Sequence, residues 1–76
     1  MNKPRRKALQ GVIDQLEELK GALEEILSEE EEYRDNMPEN MQGGEKYEKV
    51  EEAISNIDDA VSTIEDVISS IEAATE

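Results

Sequence analysis

Residues 53–59, 60–66 and 67–73 read AISNIDD, AVSTIED and VISSIEA, three consecutive heptads in which an apolar residue returns at steps of three and four. That spacing keeps one seam of an α-helix turned towards a partner. The seam extends back to the start of the second half as Tyr47, Val50, Ile54, Ile57, Val61, Ile64, Ile68 and Ile71. The first half carries the same rhythm in Leu9, Val12, Leu16, Leu19, Leu23 and Ile26, then Tyr33 and Met37. Laid antiparallel, the two series meet at positions whose numbers sum to 80, from Leu9 with Ile71 to Tyr33 with Tyr47. The midpoint, Asn40, falls in the segment that holds Pro38, Gly43 and Gly44. The expected fold is all-α: an antiparallel two-helix coiled-coil hairpin, which pairs with a second copy as a four-helix bundle.

One domain, residues 1–76, accommodates this pattern. Helix 4–36 begins with Pro4, which suits a first turn because its missing N–H would be unpaired there anyway. Pro38 disfavours helical geometry at Met37 and ends the helix. Residues 37–44, MPENMQGG, form the loop, with a short turn begun by Pro38 and backbone freedom from the Gly43–Gly44 pair. Helix 45–74 opens with Glu45 and Glu48, which the positive end of the helix dipole favours.

Composition narrows the function classes. The chain has no Cys and no His, which removes disulfides, thiolate chemistry, His-based acid–base catalysis and most transition-metal sites. No nucleophile–base pair or phosphate loop is present, so an enzyme is not expected. Adjacent carboxylates on a helix diverge, no loop has EF-hand spacing, and Glu-x-x-His is missing, so neither a metal nor a cofactor is expected. The basic start is not followed by an apolar signal-peptide stretch, and no apolar run approaches membrane-spanning length. A cytoplasmic location is expected.

The net charge is −13, unevenly placed. Lys3, Arg5, Arg6 and Lys7 are four of the eight bases, and from Ala8 onward 21 acids face the other four, a net −17. Such a body repels nucleic acid and anionic membranes and attracts proteins with basic surfaces. Glu17/Glu18, Glu24/Glu25 and Glu31/Glu32 recur one heptad apart on the outer face of the first helix. They form a rod of carboxylates that a basic, phosphate-binding groove could accept; the plainer reading is a solvated face that keeps a small bundle soluble.

With the seam at heptad positions a and d, the flanks sort by chemistry. The e positions are Arg6, Ile13, Lys20, Leu27 and Arg34 on the first helix, and Glu51, Asp58, Glu65 and Glu72 on the second. Antiparallel packing is then expected to pair Arg6 with Glu72 and Lys20 with Asp58. The g flank holds Ala8, Gln15 and Ala22 opposite Ala53, Ala60, Val67 and Ala74. Being small and mostly uncharged, that flank is the expected self-association surface. Glu30 interrupts the seam opposite Val50, where it is expected to reach solvent.

Near the turn, Tyr33 and Tyr47 are expected to stack in one seam layer beside Asp35, Asn36, Glu39, Asn40 and Gln42, as a lid or as a recognition tip. The run from Glu30 to Gly43, followed by A-I-S-N-I-D-D-A, resembles small acidic helical proteins encoded by phages and mobile elements of Gram-positive gut bacteria. Those proteins often read Gln-Gly-Ser where this chain has Gln42-Gly43-Gly44, which leaves capping to Gly44. The resemblance implies a phage setting and no particular activity. The functional expectation is a small acidic protein-binding module, an inhibitor or adaptor that engages a basic host protein; the alternative is a structural module that only self-associates.

Overall fold

A computed structural model describes residues 1–76 as two long helices, α1 (Lys3–Asp35) and α2 (Glu45–Thr75), packed antiparallel, with one 3-10 turn at Glu39–Met41 between them. The rod measures 59 × 15 × 12 Å. The architecture is the expected hairpin, without a sheet.

Each helix end has a local cause. Asn2 is extended and its Oδ1 accepts the Arg5 N–H at 2.9 Å, which starts α1 just before Pro4. At the far end the Asn36 N–H donates to the Glu32 carbonyl at 3.0 Å, and Pro38 allows no further turn. The turn closes on itself, with Met41 N–H to Pro38 carbonyl at 2.9 Å and Gln42 Nε2 to Met37 carbonyl at 3.3 Å. Gly44 is the N-cap of α2, as its position implied. No residue has a positive φ, so the glycine pair contributes an ordinary extended cap rather than a left-handed turn.

The hairpin interior differs from the expected seam on one helix. Buried residues are Ile13, Met37, Val50, Val61 and Ile68, and Leu9, Leu16, Leu23, Leu27, Ile54, Ile57, Ile64 and Ile71 are half-buried. Helix α2 thus uses its a and d positions as expected, with Ala53 and Ala60 half-covered beside them. Helix α1 instead packs with a and e: Leu9, Ile13, Leu16, Lys20, Leu23, Leu27 and Arg34 face α2. Its d positions turn out, leaving Val12, Leu19, Ile26 and Tyr33 at 42, 58, 50 and 46% exposure. Ile13 and Leu27, two large apolar residues at e, join the a positions at the interface in place of d.

The ion pairs shift accordingly. Lys20 Nζ lies 3.9 Å from Glu65, and Arg34 Nη1 lies 3.5 Å from Glu51. The expected Lys20–Asp58 and Arg6–Glu72 pairs are not formed; Lys20 reaches one heptad further. Side chains lean towards the N-terminus of their own helix, so across an antiparallel pair Lys20 leans away from the loop and Glu65 towards it. Both ion pairs are partly exposed, so each contributes little on its own. Glu30 is half-buried and forms no ion pair.

Two substitutions read this packing. Ile13→Ala should destabilise the hairpin by about 2–4 kcal/mol. Gly21→Ala should stabilise it by about 1 kcal/mol, because nothing lies within 4 Å of an added Cβ. Chemical denaturation followed by far-UV circular dichroism measures both.

Candidate functional site

The outward rotation of α1 creates a surface. Arg5, Val12, Leu19, Ile26 and Tyr33 recur every seven residues along the full length of the helix, which makes one nearly straight stripe. The two e rows meet on one flank of the hairpin through Lys20–Glu65 and Arg34–Glu51. The α1 stripe and the g row of α2, Ala53, Ala60, Val67 and Ala74, therefore share the other flank. Val67 is 43% exposed there. At the open end of the hairpin, Leu9, Val67, Ile71 and Ala74 line a shallow groove. Of the g positions proposed for self-association, Ala8, Gln15, Ala22, Val67 and Ala74 are exposed, whereas Ala53 and Ala60 are half-buried against α1.

The chain is open for its mass: its surface is 5676 Å², against about 4,700 Å² for a compact monomer, as a rod of 59 × 15 × 12 Å requires.

The carboxylate rod stands where the heptad count put it. Glu17, Glu18, Glu24, Glu25 and Glu32 are exposed and Glu31 is half-buried. None of the six is in an ion pair, because Lys20, the one base among them, is held by Glu65. Glu17, Glu24 and Glu31 lie nearly opposite the apolar stripe, at about 160° around the helix. No three of the chain's acids converge as ligands to one cation would.

At the loop tip the expected tyrosine stack is replaced by two separate arrangements. Tyr33 follows the stripe outward, and its ring meets Lys46, whose Nζ lies 5.8 Å from the ring centroid. Tyr47 is half-buried on the e flank beside Arg34 and Glu51. Asp35 is taken up by Arg34, at 3.1 Å from Nε, and Asn36 caps α1. Glu39 and Asn40 sit exposed on the 3-10 turn. The structural centre of the tip is Arg34, which the sequence reading treated as a flank. Its guanidinium is held above its ordinary pKa chiefly by the hydrogen bond to Asp35.

The missed surface had a sequence signal. Ile13 and Leu27 at e, added to the residues at a and d, make α1 apolar over about 100° of its circumference, wider than one partner helix covers.

No protein-family model, curated protein or solved structure matches this chain.

The Tyr47 phenol is held above its ordinary pKa, first because Glu51 accepts a hydrogen bond from its hydroxyl and then by desolvation. A raised pKa means that folding favours the neutral phenol. The contribution is present below the unfolded-state pKa and is lost as pH rises through the folded-state value. In Tyr33→Phe, which leaves Tyr47 as the one tyrosine, ultraviolet titration should give a midpoint above that of a free phenol. Adding Glu51→Gln should lower it.

Proposed function

We propose that this chain is a self-association module: a hairpin that forms half of a four-helix bundle and joins two copies, without enzymatic activity. The observation that carries this reading is the stripe of Val12, Leu19, Ile26 and Tyr33, large apolar side chains at heptad spacing held out of the hairpin's own interface. An isolated pair of helices leaves these side chains wet, and five buried residues are a small core for 76. A second pair of helices converts the stripe into an interior. The acids stay outside, where they keep the assembly soluble and set against further growth.

The carboxylate rod supports a second role beside the first. Five of its six Glu side chains are exposed and without counter-ions, Glu17 and Glu24 nearly opposite the apolar stripe and Glu18, Glu25 and Glu32 about 100° around from it. They are free to attract a basic protein while the stripe is covered, which is the inhibitor or adaptor reading and fits a phage setting. Charge steering would make such binding fast and salt-sensitive.

Sedimentation equilibrium at tens of micromolar tests the first role. The wild-type mass should be twice 8.6 kDa, and Leu19→Glu should return the monomer mass with the helices retained. A wild-type mass of 8.6 kDa contradicts the proposal. For the second role, proteins captured from a bacterial lysate at low salt and released by a salt step should be lost when Glu17, Glu18, Glu24 and Glu25 are all changed to Gln.

A further inference from the structure

We infer that the two copies meet about a two-fold axis level with Leu19, α1 lying antiparallel against the second copy's α1. This rests on the self-association proposed above and adds its orientation and register. Helix α1 runs from Lys3 to Asp35, and Leu19 is its central residue. A two-fold axis there lays the two helices flush from end to end.

The stripe is complementary to itself about the same residue. Leu19 meets Leu19 of the second copy, Val12 meets Ile26, and Arg5 at one end meets Tyr33 at the other. Arg5 over the exposed Tyr33 ring is a cation–π contact, and Tyr33 already draws a cation to its ring, Lys46 at 5.8 Å. Along the rod the same register brings the basic end of each α1 level with the Glu29–Asp35 end of the other, so the long-range field favours it, although Lys3, Lys7, Glu31 and Asp35 point away from the stripe.

Helix α2 offers the same face: its g row, Ala53, Ala60, Val67 and Ala74, lies on the flank that carries the stripe. The small side chains leave room for the two α2 helices to approach.

Two competitors are disfavoured on the same grounds. Sliding α1 by one heptad pairs Val12 with Tyr33 and Leu19 with Ile26, but leaves Arg5 facing the loop and loses its contact with Tyr33. A parallel arrangement stacks Glu29–Glu32 on themselves and the basic cluster on itself.

Single nitroxide labels at Gln10→Cys or Ser28→Cys separate these cases, because the chain has no other Cys and both positions are exposed. They lie nine residues on either side of Leu19 and nearly opposite the stripe. Pulsed electron spin resonance on each labelled protein should give matching distances, each with an axial component of about 27 Å. The shifted register would split them to axial components of about 38 Å and about 17 Å, and a parallel pair would collapse both to the lateral separation; either result overturns the proposed register. A dimeric mass with no measurable coupling overturns it as well. A monomeric mass for the unlabelled wild type, with no coupling, overturns self-association itself.

Discussion

An α-helix can turn only one stripe of its surface towards a single neighbouring helix, and α1 carries more apolar side chains than that stripe holds. Its a, d and e positions together span about 100°. Helix α2 covers a and e, where Ile13, Leu16, Leu23 and Leu27 lie. What remains at d is left in water by geometry, since no rotation of α1 buries d without exposing Ile13 and Leu27. The ion pairs Lys20–Glu65 and Arg34–Glu51 hold α1 in the rotation that this choice requires. Their individual energies are small.

Much of the fold was legible in the sequence because it depends on periodicity and on a few punctuating residues. The two 3,4 series, Pro4, Pro38 and Gly44 gave the hairpin, its turn and the limits of both helices to within a residue or two. The rotation of α1 was misread because Val12, Leu19, Ile26 and Tyr33 complete an unbroken heptad series with Leu9, Leu16 and Leu23, and this series hid the competing one through Ile13 and Leu27. Both series are present in the residues. Which one meets α2 depends on the relative size of side chains across the interface, and a binary apolar pattern does not carry that information. The tyrosine pair failed for the same reason: Tyr33 belongs to the displaced series, so it left the layer with Tyr47. Glu18, Glu25 and Glu32, at position c, were placed correctly because they lie on the far side of α1 under either rotation.

The charge distribution has two separable parts. The carboxylates on the outer face of α1 carry no local partners, and their regular spacing follows from the heptad that also spaces the apolar stripe. The basic residues at Lys3, Arg5, Arg6 and Lys7 sit at the opposite end of α1 from Glu29–Glu32. This polarity along a helix costs little in the hairpin, whose second helix is acidic at both ends. Sequence and rotation thus converge on one apolar flank of the molecule, while Glu17 and Glu24 stand nearly opposite it.

The dependence of thermal stability on protein concentration tests most directly whether this hairpin is half of a larger unit. If the stripe at Val12, Leu19, Ile26 and Tyr33 is buried by a second copy, folding is coupled to association and the unfolding midpoint rises steadily with concentration. A midpoint that stays fixed over a hundredfold range of concentration would show that the hairpin folds alone, with the stripe in water, and would contradict the assignment of this flank as a self-association surface.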